Sequence, residues 1–335
     1  MTANSKINRI EQYKMEKNLK LFLIIFLLSL PFWLGVNIFQ KNFEDFLLSR
    51  IIENNPPSFF IAEISKHYPN PRDLKMPQIL AESALSVKID KNGNQKIIFK
   101  KEEGKKMAIA SLTKLMTAVI ALEFYEPSQR VKISRAAVSQ PEEAGKLKVG
   151  EILTVRDLLY IMLIEPSNDA AFSLAEIIGI APFTSLMNLK AKELGMENTF
   201  FFNPTGLDPE GEKKGEGEGE GWEKREEGYN FSTAEDLVKL VKYILKQPLI
   251  LEILSKKEYP LRLENGVLHH ILYNTNTLLW EIPEAIGGKT GFTEKAGGCL
   301  VLILKEENSE DHLINVILNS TDRFQDMKQL INYAK

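Results

Sequence analysis

One cysteine in 335 residues, Cys299, allows no intrachain disulfide and no cysteine metal cluster. It stands in an apolar strand-like run and is expected as a small core residue. The four histidines, His67, His269, His270 and His312, show no metal-ligand spacing, and there is no Gly-x-Ser-x-Gly. Zinc chemistry and a Ser-His-Asp mechanism therefore lack support, and no metal or cofactor is implied. The Asp-x-Asp-x-Asp-Gly pattern of a calcium loop is absent. A net charge of -3 gives no pull toward nucleic acid, and no internal repeat is visible. What is present is a globular composition, 44% hydrophobic and 26% charged, in a chain long enough for one large domain or two ordinary ones.

The N-terminal stretch is unlike the rest. Leu21 to Phe39 runs for 19 mostly apolar residues without a charge, which as a helix would span roughly 28 Å, about a bilayer core. Lys6, Arg9, Lys14, Lys17 and Lys20 precede it, whereas Lys41 and Arg50 are the only basic residues that follow before Lys66. The positive-inside bias predicts a cytoplasmic segment at 1–20, a retained single-pass membrane anchor at 21–40 and export of the remainder. A cleaved signal peptide is the rival, but Asn37-Ile38-Phe39-Gln40 offers no small-x-small site, and the one-sided charge argues against a buried core helix. Residues 41–76 read as a stalk, broken by Asn54, Asn55, Pro56, Pro57, Pro69, Asn70 and Pro71. Within it Phe43, Phe46, Leu47 and Ile51 form an apolar stripe that suits either the membrane surface or packing on the domain.

Beyond the stalk, Ala84 to Phe99 predicts a hairpin turning at Lys91-Asn92-Gly93. A helix is expected from Ser111 to about Phe124. A cap-like Thr154-Val155-Arg156-Asp157 opens another through Ile164. Glu165 to Asp169 interrupts it, and Ala170 to Ile178 resumes. Phe183 to Leu194 is a further helix closed by Gly195. Glu210 to Glu227 holds eight Glu against four Lys or Arg, with Gly at nearly every other position in its middle, and reads as a flexible acidic insertion at 209–228. A helix follows from Thr233 to about Leu245, and a hairpin at Tyr259–Leu263 and Val267–Leu272. Strands are expected at Ala285–Lys289, Gly298–Leu304 and Leu313–Leu318, with a closing helix at Thr321–Ala334. The order predicts an α+β fold in which the first hairpin joins the later antiparallel strands and much of the helical block forms a separate lobe.

Chemistry centres on Ile109-Ala110-Ser111-Leu112-Thr113-Lys114-Leu115. On a helix, Ser111 and Lys114 share one face, within mutual reach. A serine hydroxyl becomes a strong nucleophile when a neighbour takes its proton, and an uncharged lysine can do so. Taken alone, the pair is equally a capping Ser heading a helix.

Three motifs recur in order: Ser111-Leu112-Thr113-Lys114, Pro166-Ser167-Asn168 and Lys289-Thr290-Gly291. With Asn168-Asp169-Ala170-Ala171, Asn203-Pro204-Thr205-Gly206-Leu207, Asn274-Thr275-Asn276 and Gly288-Lys289-Thr290-Gly291-Phe292-Thr293 followed by Ala296-Gly297, they resemble the D-alanyl-D-alanine carboxypeptidases, the low-molecular-mass penicillin-binding proteins, over roughly residues 77 to 334. The resemblance implies a catalytic domain at 77–335 of β-lactamase/DD-peptidase-like fold, an antiparallel sheet flanked by helices plus a helical lobe. It implies removal of the terminal D-Ala from peptidoglycan stem peptides ending in D-Ala-D-Ala, with β-lactams as inhibitors. Ser111 would be the nucleophile and Lys114 its base, helped by burial and by the second cation Lys289. Asn168 would bond Lys114 and the substrate backbone. Lys289 and Thr290 would hold the terminal carboxylate, and Gly291 would let substrate lie close to the strand edge. The N–H groups of Ser111 and Phe292 would form the oxyanion hole.

One position departs from the pattern. The family's middle motif is Ser-x-Asn, and aligning on Asn168 puts Pro166, which has no hydroxyl, where a proton-relaying Ser belongs. Ser167 is the possible substitute if the loop is displaced by one residue. The departure keeps a non-catalytic wall-binding or scaffold protein open as an alternative. A β-lactamase is the third reading, with Glu165 as the nearest carboxylate although it precedes Asn168.

Overall fold

The computed structural model describes residues 76–141, 144–209, 228–306 and 309–334. The expected membrane anchor, the stalk up to Lys75 and the Glu/Gly segment 210–227 lie outside the described residues. Met76–Lys335 clusters as one compact unit.

In chain order, β1 (Ser83–Ile89), β2 (Gln95–Lys101) and the two-residue β3 (Met107–Ala108) lead to a 3-10 turn, Ala110–Leu112, and α1 (Thr113–Phe124). Then follow β4 (Arg130–Lys132), α2 (Arg135–Val138), β5 (Ile152–Thr154), α3 (Val155–Ile164), α4 (Asn168–Glu176) and α5 (Ile180–Glu193). After β6 (Phe231–Ser232) come α6 (Ala234–Ile244), α7 (Pro248–Ser255), β7 (Glu258–Arg262), β8 (Leu268–Tyr273) and α8 (Leu278–Glu281). The chain finishes with β9 (Ala285–Thr293), β10 (Gly297–Lys305), β11 (His312–Ser320) and α9 (Arg323–Ala334).

The main sheet is antiparallel, in the order β2-β1-β11-β10-β9, so the first hairpin does join the last strands. Side chains alternate between its faces. Cys299, Val301 and Ile303 of β10, Ile314, Val316 and Leu318 of β11, and Leu85 and Val87 of β1 join the large core under the helical block. Leu300, Leu302 and Leu304, with Leu313, Ile317 and Ala84, meet Met327, Leu330 and Ile331 of α9 on the opposite face. Covering both faces explains why β10 reads as a continuous apolar run rather than an alternating one. Cys299 is buried in that core.

Local chemistry sets the helix starts that matter for the site. Thr154 and Asp157 form a reciprocal capping box at the head of α3. Ser167 caps α4 by accepting from the Ala170 N–H at 3.2 Å. The strand expected to stop at Lys289 continues to Thr293, because β10 pairs with it across Thr290, Gly291 and Phe292. β9 is the last strand of the sheet, so among the described residues its other edge has no strand partner.

Candidate active site

Ser111 sits in the 3-10 turn between β3 and α1. The preceding Ala110 takes φ 45, and the missing Cβ of Gly206 makes room for its carbonyl: a Cβ there would lie 2.1 Å from Ala110 O. The turn 203–207 is thus seated directly on the nucleophile segment. Asn203 Oδ1 holds this turn by accepting from the N–H of Thr205 at 3.1 Å and of Gly206 at 2.7 Å. Asn230 ties it to α1 by donating to Asn203 O and to Thr113 Oγ1.

Lys114 is wholly buried, and its Nζ meets Asn168 Oδ1 at 2.7 Å, Thr205 O at 2.6 Å and Ser111 Oγ at 2.8 Å. The first two are pure acceptors and consume two N–H bonds. Toward Ser111 the amine then presents either a third N–H or, when uncharged, a lone pair able to take the hydroxyl proton. The motif residues Ser111, Lys114 and Asn168 are brought into one hydrogen-bonded set. Thr205 completes it through its backbone carbonyl, a role that the Asn-Pro-Thr-Gly-Leu pattern does not announce.

Lys289 is also buried, 1% exposed, and donates to Thr290 O at 2.8 Å. Burial, then Lys114, then Arg323 push its ammonium well below the ordinary lysine range. It stands behind the cleft, not in its lining. A cavity of about 330 Å³ is lined by Ser111, Pro166 and Glu165 on one side and by Thr275, Thr290, Gly291, Phe292 and Arg323 on the other. Thr290 Oγ1 shares a 2.6 Å hydrogen bond with Thr275 Oγ1. Arg323, at the head of α9, donates to Gly291 O at 2.8 Å and is half-buried, which lowers its pKa. Arg323 was missed in the sequence because it stands 32 residues from Gly291, outside any motif.

The buried Lys289 is set back from the carboxylate site expected of it, and three other expectations are revised. Gly291 was expected to make space for substrate, yet a Cβ there would lie 3.0 Å from Ile109 O and 3.1 Å from Ser111 N. Its smallness lets β9 press against the nucleophile turn. Asn168 does bond Lys114, but its Nδ2 donates to Pro141 O at 2.9 Å and its side chain is buried, so this amide is directed at the 141 loop rather than at substrate. Ser167 is fully buried; its hydroxyl donates to Ala144 O at 2.7 Å and caps α4, with Gly145 packed so closely that a Cβ would fall 2.8 Å from Ser167 Oγ. It fills a capping position and does not occupy the place of the missing motif serine. Pro166 lines the cleft with φ 26, far from the value of about -65 that its ring favours. Phe292 lines the same cavity as Ser111, and its side chain is 61% exposed.

Among the described residues, no group of three or more His, Cys, Asp or Glu could hold a metal ion.

Comparison with known proteins agrees with this geometry. The family model for D-alanyl-D-alanine carboxypeptidase matches residues 70–322. The chain is 33% identical over 244 residues to D-alanyl-D-alanine carboxypeptidase DacF of Bacillus subtilis, covering 71% of this chain and 58% of that protein. It is 33% identical over 237 residues to the D-alanyl-D-alanine endopeptidase of Escherichia coli, covering 68% of this chain and 67% of the relative. Penicillin-binding protein D2 of Listeria monocytogenes, solved with cefotaxime bound, superposes with a TM-score of 0.63 at 29% identity, over 76% of this chain and 97% of that one.

Proposed function

The chain belongs to the D-alanyl-D-alanine carboxypeptidase family, and on that premise we propose that it is a serine D,D-carboxypeptidase that trims the terminal D-Ala from peptidoglycan stem peptides. The observation that carries the reading is the placement of Lys114 Nζ, 2.8 Å from Ser111 Oγ while two pure acceptors hold its other bonds. Ser111 attacks the penultimate carbonyl and Lys114 takes the hydroxyl proton. The substrate backbone lies along the free edge of β9. The carbonyl oxygen turns toward the N–H groups of Ser111 and Phe292, at the start of a helix whose dipole favours negative charge. Thr290 and Arg323 receive the terminal carboxylate, the guanidinium by a charge-assisted bond. Lys289 stands behind this pair, its own ammonium disfavoured by burial and by Lys114. Water then releases the shortened peptide, and a β-lactam follows the same first step.

The same reading places the domain outside the cell membrane. It rests on the uncharged run Leu21–Phe39 and on the basic residues that precede it, which support a single-pass anchor with a cytoplasmic N-terminus. Fractionation of cells expressing the full chain should put it in the membrane pellet, and a version starting at Asn42 should be soluble.

Activity is tested by D-Ala release from an acyl-Lys-D-Ala-D-Ala peptide. The full chain should release D-Ala and Ser111→Ala should not; equal release from both would sink the proposal.

A further inference from the structure

Pro166 removes the hydroxyl that the family pattern puts beside the scissile bond, yet the leaving D-Ala amine still needs a proton. Glu165, the C-cap residue of α3, lines the same cavity as Ser111 and Pro166. It is not alone. Its Oε2 lies 2.9 Å from His270 Nε2. His270 Nδ1 is hydrogen-bonded to His269 Nδ1, and His269 Nε2 lies 3.0 Å from Glu151 Oε1. The hairpin strand β8 thereby strings two imidazoles between two carboxylates, using all four ring nitrogens.

Counting protons decides what this chain of groups holds. Three contacts each require one proton. Two neutral imidazoles carry one each, and two carboxylates carry none. With only those two protons, one contact would set lone pair against lone pair. All three contacts are satisfied together when the group holds a third proton. With Glu151 as the accepting carboxylate of His269 Nε2–H, His269 Nδ1 accepts from His270 Nδ1–H. The third proton then lies between His270 Nε2 and Glu165 Oε2, at the end that opens on the cleft. Burial, the first cause of the lowered His269 pKa, disfavours charge on that ring.

We propose that Glu165, loaded through His270, His269 and Glu151, is the general acid that protonates the leaving amine in place of the absent motif serine, an inference that rests on the carboxypeptidase reading. In acylation Ser111 Oγ forms its bond to the carbonyl carbon as Lys114 takes the hydroxyl proton. The C–N bond breaks, its electron pair goes to nitrogen, and the Glu165 carboxyl gives that nitrogen the stored proton. In deacylation water adds to the ester and returns one proton to the Glu165–His270 pair. Ser111 Oγ leaves and recovers its proton from Lys114. The sum is one water consumed and the chain recharged.

The test is Glu165→Gln in the full chain. The amide nitrogen can still donate to His270 Nε2, so the contact survives but its proton cannot be given away. The acylation step with the acyl-D-Ala-D-Ala peptide, read by single turnover, should slow by about 10²-fold, the scale of general acid catalysis. The same step with the thioester analogue, whose thiolate leaves without a proton, should stay within about threefold of wild type. Equal losses of acylation rate on both substrates would reduce Glu165 to a structural part and overturn the proposal, as would unchanged acylation by the peptide. A wild-type chain that neither acylates with penicillin nor turns over either substrate would overturn the functional reading and this proposal with it.

Discussion

The two turns that line the cleft use their polar atoms in opposite ways. In the turn at 109–114, Ser111 Oγ and Lys114 Nζ point at each other and the surrounding acceptors serve that contact. In the turn at 165–168, Ser167 faces inward as a helix cap, Pro166 offers no hydroxyl, and Asn168 divides itself between Lys114 and Pro141 O. The first turn carries the chemistry in its own motif. The second supports that chemistry from behind, and the titratable group it puts into the cleft, Glu165, lies just outside the motif. A motif position can lose its reactive atom while its neighbours keep the fold that the rest of the site needs.

The contrast can be broken most strongly at Lys114. Lys114→Ala should slow acylation by fluorescent penicillin by about 10³-fold or more, since the general base is lost; labelling within tenfold of wild type would mean another base activates Ser111. Ser167→Ala should cost about 1 kcal/mol of stability through the lost cap, seen in denaturant unfolding, while D-Ala release stays within about threefold. A large loss of turnover at unchanged stability would make Ser167 a relay after all. Pro166→Ser restores a hydroxyl and relaxes the strained turn, and D-Ala release should change by no more than about threefold if Glu165 already supplies the proton. A gain of tenfold or more would show that the turn is impaired as it stands.

The smallest effect concerns pH. Burial holds the folded-state pKa of His269 below the ordinary value of 6.5. The unfolded chain therefore binds more protons between the folded value and 6.5, so this residue's contribution to stability is present above 6.5 and is lost as pH falls through that window. His269→Gln should flatten the fall in melting temperature over the same range, and an unaltered slope would remove His269 as its source.

The sequence made the ends of this comparison legible to different degrees. Ser111, Lys114 and Asn168 were readable because short spacing on a helix and the order of motifs are local properties, and the main sheet followed from alternation in β1 and the long apolar run of β10. β9 was read too short because Lys289-Thr290-Gly291 lacks strand character, and its ladder with β10 is what extends it. α7 has no sequence signature, since Pro248-Leu249-Ile250-Leu251 is a continuous apolar run that gives no period. Arg323, Thr205 and the Glu165–His270 contact reach their partners across 32 to 105 residues, and His269 stands further still from Glu151, distances that no local pattern encodes. Lys289 was assigned to the carboxylate because spacing says nothing of burial. Gly291 was assigned to substrate because a missing side chain does not announce which neighbour it admits.

The central claim is that Lys114 makes Ser111 a nucleophile. Its most direct measurement is intact mass followed by peptide mapping after exposure of the full chain to benzylpenicillin. The account predicts one covalent adduct, mapped to Ser111, absent from Ser111→Ala and strongly slowed in Lys114→Ala. An unmodified wild-type chain, or an adduct on any other residue, would contradict it.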